Sequence, residues 1–383
     1  MSLRILHVVR SLRPETGGPV SVVRNLTTAL EAAGHRSHIL SLDQADTVRS
    51  GAAVHTLDAP SHGYGYTKAY VPWLRAHRHE FDAVIIHGLW QYQSFGAWRA
   101  LAGTNTPYLV YCHGMLDPWF KRTHRLKHLR KCLYWPLAEY RVLRDARAVC
   151  FTCEEERRLA PHSFRPYRVH AEVAPIGVTA PAGDAKKMKA VFHEAHPQLC
   201  DKNFILFLGR IHPKKGIEEL IAAHAQVARM RPDAPALVIA GPCADVAYQK
   251  DLRSLVPADS VHWLPMLEGD QKWGALHACT AFALLSHQEN FGLAVVEALA
   301  CGRPVLISKQ VNIWAEIIAD QAGLAAEDSL PGGIDLLTRW LDMTLDEQAA
   351  MSRAALRCFQ QRFEINQAAA TLTAIITRII ARP

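Results

Sequence analysis

No run of eighteen apolar residues occurs in this 383-residue chain, so no transmembrane helix is expected. None of its twenty histidines falls in an H-E-x-x-H arrangement, and no Asp-x-Asp is present to hold a divalent cation, so no metal site is expected. The full G-x-G-x-x-G of dinucleotide-binding folds is missing as well. Cysteines are few and odd in number, nine in all, and Cys150-x-x-Cys153 has neither a second pair nor a histidine cluster beside it. Its setting, residues 148–153, reads as a strand that turns the two thiols to opposite faces. Reduced core cysteines of a cytosolic protein are the expectation. Residues 1–9 have no small-residue cleavage site and read as a first strand rather than a leader.

What is present is the composition of a soluble globular protein, 49% hydrophobic and 21% charged, with length enough for two ordinary domains. Residues 4–9 read as a strand, 11–18 as a loop ending in Gly17-Gly18, and 19–33 as a helix with Val23, Leu26, Leu30 and Ala33 on one face. Gly34 ends that helix and 35–40 is the next strand. Residues 83–87 and 108–112 are further apolar strands, which run into Gly88 and into His113-Gly114. Open α/β sheets place ligands at such strand ends, which makes His113 a candidate site residue, although taken alone such a histidine is more often a hydrogen-bonded structural one; His87 shares the position without an assigned role. Strands follow at 148–152 and 169–174. Composition then shifts to Ala, Pro, Gly, Asp and Lys over 179–189, read as the start of an interdomain linker. Beyond it, strands at 204–208, 236–240, 260–264, 281–285 and 305–308 alternate with helices, and the tail from about Gly333 is helical. The strand–helix order predicts α/β architecture with parallel sheets in both halves.

Two stretches carry chemistry. In 285–305, residues after the strand lead through Glu289 and Asn290 to Gly292, and 293–300 reads as a helix closed by Gly302 and Pro304. The backbone N–H groups of Asn290, Phe291, Gly292 and Leu293 therefore sit at a helix N-terminus, which suits a phosphate. The carboxylates of Glu289 and Glu297 frame that place. In 209–216, Gly209-Arg210-Ile211-His212-Pro213-Lys214-Lys215-Gly216 offers a guanidinium and an ammonium beside a strand end, a pair able to clamp a diphosphate. Taken alone, this stretch would also fit a solvated basic turn.

Together these two stretches resemble the signatures of the retaining GT-B glycosyltransferases of family 4, whose E-x7-E motif matches Glu289 and Glu297, and the resemblance covers nearly the whole chain. It implies two Rossmann-like domains facing across a cleft. Residues 1–178 would form the acceptor-side domain, 179–203 a linker region and 204–361 the nucleotide-sugar-binding domain. The C-terminal helix, 362–383, would return to the first domain. By the same resemblance Glu297 holds the ribose hydroxyls, while Glu289 and His113 face the donor sugar. Arg210, Lys215 and the turn at Gly209 hold the diphosphate, and Gly17-Gly18 let the backbone approach the diphosphate or the acceptor. The implied reaction is metal-independent transfer of a hexosyl group, with retention, from a UDP- or GDP-sugar to a glycan or lipid-linked acceptor. Surface polysaccharide biosynthesis is the implied setting. Leu285 stands where many relatives carry proline and Pro265 where glycine is common near the base, so base preference stays open. A nucleotide-sugar 2-epimerase or a non-catalytic nucleotide-sugar-binding protein remains as an alternative.

The basic charge is concentrated in one place. Residues 117–147 hold nine Lys or Arg against three Asp or Glu, +6 of the formal +7. Lys121, Arg122, Arg125, Lys127, Arg130 and Lys131 surround Leu126, Leu129 and Leu133 at helical spacing, with Phe120 and Trp135 at the flanks. This predicts contact between residues 119–135 and an anionic membrane surface, and a location in the cytoplasm or on the inner face of its membrane. The other reading is a solvated helix whose leucines face the core. The phosphate-cradle residues argue against a nucleic-acid partner.

Overall fold

Most strands of this chain are short, almost uninterrupted apolar runs, the pattern of strands covered on both faces in a parallel sheet. The computed structural model describes residues 2–13, 18–43, 53–60, 62–255, 257 and 260–381. Two compact units result: Met1–Val178 with Glu364–Pro383, and Thr179–Phe363.

The first unit contains β1 (Arg4–Val9), β2 (Arg36–Ser41), β3 (Ala53–Thr56), β4 (Ala83–His87), β5 (Tyr108–Tyr111), β6 (Ala148–Phe151) and β7 (Ala171–Val173). They form one seven-stranded sheet in the order β3-β2-β1-β4-β5-β6-β7, every pairing parallel. Every residue of β4, β5 and β6 is buried. The helix Gly18–Ala32 covers one face through Val23, Leu26 and Leu30. Against it lies the C-terminal helix Ile365–Ile380, which buries Ala368, Leu372 and Ile376 at helical spacing. Arg378 pairs with Glu172 at 2.6 Å. The tail enters this unit beside the point where the chain leaves it. Ile365 N–H donates to the Val178 carbonyl at 3.1 Å, and a Cβ on Gly177 would lie 2.6 Å from the Ile365 Cα, so only glycine fits.

The second unit contains β8 (Phe204–Leu208), β9 (Ala236–Ala240), β10 (Val261–Leu264), β11 (Ala281–Leu284), β12 (Val305–Ser308) and β13 (Gly323–Ala326). They make a six-stranded parallel sheet in the order β10-β9-β8-β11-β12-β13. Within the segment expected as a linker, Ala185–Ala195 is a helix that buries Met188 and Phe192 at i, i+4. Full burial of such side chains contributes roughly 1.5–3 kcal/mol each. Its partner helix, Gly269–Ala278, approaches through Gly274, where a Cβ would lie 2.1 Å from the Met188 carbonyl oxygen. The run of Ala, Pro, Gly, Asp and Lys over 179–189 masked this helix, which begins inside that run and buries only Met188 and Phe192.

Candidate functional site

In the second sheet β8 and β11 are neighbours, yet the chain passes outward through β9 and β10 before returning. The C-terminal ends of β8 and β11 are therefore the topological switch point, where ligands of open α/β sheets bind. Both motif loops lie there. Gly209 N–H donates to the Ala240 carbonyl at 3.0 Å, and Gly241 approaches so closely that a Cβ on it would lie 1.9 Å from the Gly209 oxygen. The following turn ends at Gly216 in the left-handed region (φ 62°), where any Cβ would lie 2.0 Å from the Leu285 oxygen. His287 N–H and Ser286 Oγ–H both donate to the Lys214 carbonyl, at 2.9 and 3.0 Å. The basic turn is thus fastened to the loop after β11.

That fastening brings Lys215 Nζ into an ion pair with Glu289 Oε2. The Glu289 backbone is fixed on both sides, donating to Gln310 and accepting from Asn312 at 2.9 Å each. Phe291 is buried with its ring centroid 5.7 Å from that of Phe363 and anchors the loop. Gly292 takes the left-handed conformation (φ 75°) and caps the helix Leu293–Ala300. The N–H groups of Gly292, Leu293 and Ala294 have no backbone acceptor among the described residues. Glu297, on that helix, pairs with Lys272 Nζ at 2.8 Å. Arg210 is exposed and makes no ion pair among the described residues. Lys215 and Lys272 each offset a carboxylate, and Arg210 adds an exposed guanidinium on the turn fastened to this loop, whose helix N-terminus keeps open N–H groups. Such a set stabilises an anion.

Two of these partners escaped the sequence reading. Lys272 comes from the helix Gly269–Ala278 and belongs to no motif. His287 lies inside the motif stretch, and its Nδ1 sits 2.8 Å from Asp328 and its Nε2 3.5 Å from Glu219. It ties the loop to two other elements.

The first sheet has its own switch point, between β1 and β4. His7 on β1, His87 on β4 and His113 after β5 form a chain there. His7 Nδ1 lies 3.0 Å from His87 Nε2, and His87 Nδ1 lies 3.0 Å from His113 Nε2. The rings are stacked, with centroids 5.3 Å apart in both pairs. Burial pushes His7 down to about 3 and His113 to about 4; His87 falls well below its ordinary value, through burial first and then its two neighbours. All three are neutral at neutral pH. His113 has φ 49°, a left-handed conformation seldom taken by a residue with a side chain. The buried Glu156 carboxylate holds the turn, accepting from Gly114 N–H at 2.5 Å and from Thr152 N–H at 2.6 Å. A cavity of about 480 Å³ opens at this edge, lined among others by Arg10, Arg13, His87, Gly88, Gln91 and Met115. Gly18 is the exposed first residue of its helix, and Gly17 lies outside the described residues.

The basic stretch forms the helices Trp119–Thr123 and Arg125–Tyr134, neither of which buries a residue. Leu126, Leu129 and Leu133 are 81%, 62% and 70% exposed, so they do not face the core. Two expected members behave otherwise. Trp135 is fully buried, its Nε1–H donating to the Pro166 carbonyl at 2.8 Å, and cannot flank a surface. Lys131 turns inward, with Nζ 4.2 Å from the Trp90 ring centroid, and burial lowers its pKa to about 8.

Two parallel Rossmann-like sheets, with the C-terminal helix returned to the first, define the GT-B class. Residues 17–186 match the glycosyl transferase 4-like domain and residues 189–355 the glycosyl transferases group 1. The chain belongs to these group 1 glycosyltransferases, family 4, a retaining family. A D-inositol 3-phosphate glycosyltransferase of Jonesia denitrificans is 29% identical over 184 residues, 45% of this chain and 42% of that protein. The matched segment spans less than half of that relative. Among solved structures, a sucrose-phosphate synthase from Thermosynechococcus elongatus superposes with a TM-score of 0.77 at 17% identity, covering 100% of both chains. Anabaena HepE in complex with UDP and glucose gives 0.76 at 15% identity, covering 98% of this chain and 100% of that one. At these identities the likeness is one of fold.

Proposed function

We propose that the protein transfers a sugar, with retention and without a metal, from a nucleotide-diphosphate-sugar to a glycan or lipid-linked acceptor. The observation that carries this is the pairing of Lys215 with Glu289 at the open N-terminus of the helix Leu293–Ala300, with Arg210 and Glu297 close by in sequence. Breaking the bond between the anomeric carbon and the diphosphate builds negative charge on the departing phosphate. Arg210, Lys215 and the N–H groups from Gly292 onward supply preorganised positive charge for it. Glu289 is the carboxylate that reads the donor sugar, and Glu297 the one that reads the ribose. Anabaena HepE was solved with UDP and glucose, so UDP-glucose is the first donor to test. The cavity at the end of β1 and β4 suits the acceptor. Incubation with a panel of UDP-, GDP- and ADP-sugars should reveal slow donor hydrolysis that persists in EDTA and keeps the anomeric configuration. An inverted product, or strict dependence on Mn²⁺ or Mg²⁺, would overturn the mechanism.

Of these two acceptor classes we favour the lipid-linked one, met at a membrane surface. The exposed leucines of the helix Arg125–Tyr134 and the exposed Lys121, Arg122, Arg125, Lys127 and Arg130 support this. Each cation contributes about 1 kcal/mol beside an anionic leaflet, enough together for reversible attachment. The protein should sediment with anionic vesicles at low salt and leave them at high salt. Changing Arg122, Arg125, Lys127 and Arg130 to glutamate should abolish sedimentation and leave donor hydrolysis intact. A wild type that ignores anionic vesicles at low salt would show the role to be wrong.

A further inference from the structure

The three-histidine chain at the edge of the first sheet has a property that none of its members has alone. A neutral imidazole carries one N–H and one bare nitrogen, so in each ring–ring contact one nitrogen donates and the other accepts. With two contacts in series only two neutral arrangements exist. In one, His7, His87 and His113 all carry the proton on Nδ1; in the other, all three carry it on Nε2. Mixed arrangements bring two N–H groups or two lone pairs face to face in one of the 3.0 Å contacts. The three rings therefore share a single tautomeric state.

The far end of the chain selects between the two. His7 is fully buried, and its Nε2 has no hydrogen-bond partner among the described residues. The second arrangement would put an orphaned N–H there, and buried N–H groups without an acceptor are rare in folded proteins. The first leaves only an unshared lone pair. Tyr111 stacks on both His87 and His113, with centroids 5.4 and 5.5 Å away, and restrains the rings without bonding to their nitrogens.

We infer that His7 and His87 are positioning residues that hold His113 in the Nδ1–H tautomer, so that His113 meets the substrate as a neutral hydrogen-bond donor and not as a base. Nδ1 of His113 has no partner among the described residues, whereas its Nε2 is occupied by His87. A donor of this kind suits a hydroxyl of the transferred sugar or an oxygen of the departing phosphate. It cannot take the proton of the acceptor hydroxyl, because its only bare nitrogen already accepts from His87. The role of His113 rests on the glycosyltransferase reading given above; the shared tautomer does not.

The test is a long-range proton–nitrogen correlation spectrum of the ligand-free protein labelled in its histidines, with rings assigned by single substitution. His7, His87 and His113 are expected to carry their protons on Nδ1 at neutral pH. His7→Asn keeps a donor toward His87 and should preserve both the His113 tautomer and turnover. His7→Met offers His87 Nε2 a sulfur acceptor and no donor, and should let His87 and His113 populate Nε2–H, with kcat falling about tenfold and the donor KM little changed, the scale of one misdirected hydrogen bond. Circular dichroism separates this loss from misfolding. An Nε2–H signal for His113 in the wild type overturns the inference whether or not any variant folds. So does an unchanged His113 signal in folded His7→Met. Near-normal turnover of His113→Ala would instead remove His113 from the substrate site, leaving the shared tautomer standing.

Discussion

Lys215→Ala should lower turnover by a factor of ~100 or more, the scale for losing one group that stabilises charge in the transition state. The structure makes the expected loss larger than a missing cation alone would give. Lys215 neutralises Glu289 in the ligand-free protein. Without the ammonium, that carboxylate stands uncompensated beside the place where the diphosphate gains charge. Arg210→Ala removes a cation of equal charge but leaves Glu289 paired, so its loss should be the smaller of the two. Both variants should fold, since Arg210 is exposed and the Lys215 side chain is partly so. Steady-state rates on the responsive donor, together with thermal unfolding curves, decide the matter. Near-normal rates in both variants would remove the clamp from the mechanism.

The two glutamates should separate cleanly in kinetics. Glu297→Ala is expected to raise the donor KM by roughly tenfold, the size of a hydrogen bond to a charged group, with kcat little altered. Ribose contacts are made equally in the ground and transition states, so their loss appears as weaker binding. The substitution also frees Lys272, and the added positive charge offsets a fraction of the loss. Glu289→Gln should instead depress kcat by about 100-fold, because this side chain acts on the reacting sugar and tempers Lys215. Product inhibition by the free nucleoside diphosphate gives an independent measure of the first effect. If Glu289→Gln alters KM alone and Glu297→Ala alters kcat alone, the two roles have been exchanged.

Much of this architecture was readable from local pattern. The central strands are pure apolar runs, as strands covered on both faces must be, and Gly216 and Gly292 stand where the backbone turns left-handed. β3 and β13 were not read. Ala53–Thr56 is only partly buried, and Gly323–Ala326 is built of small residues with little strand preference. The helix Ala185–Ala195 hid within a composition typical of a linker. Of the second unit's candidate site, Arg210, Lys215, Glu289 and Glu297 stood in two local motif stretches, and their roles were implied by the family resemblance and not by spacing alone. Lys272 could not be read in this way, because it reaches Glu297 from a helix twenty-five positions away. His7 is the extreme case, eighty positions from His87 and joined to it only because β1 and β4 are neighbours. Sequence order reveals groups that one loop or helix gathers; it is silent on those that a sheet's crossovers bring together. The leucines of Arg125–Tyr134 left two readings open, since helical spacing fixes a shared face but not what that face meets.

The meeting of Val178 with Glu364 and Ile365 makes Thr179–Phe363 an insertion within the first unit, not a body added after it. The chain departs and comes back through adjoining residues, and the last helix then completes what the first residues began. A fragment cut at Val178 is accordingly not a domain: it would carry an unroofed apolar surface on the helix Gly18–Ala32, where Leu372 and Ile376 belong. Splicing the two flanking pieces directly together, with the intervening module omitted, is the excision that respects the topology.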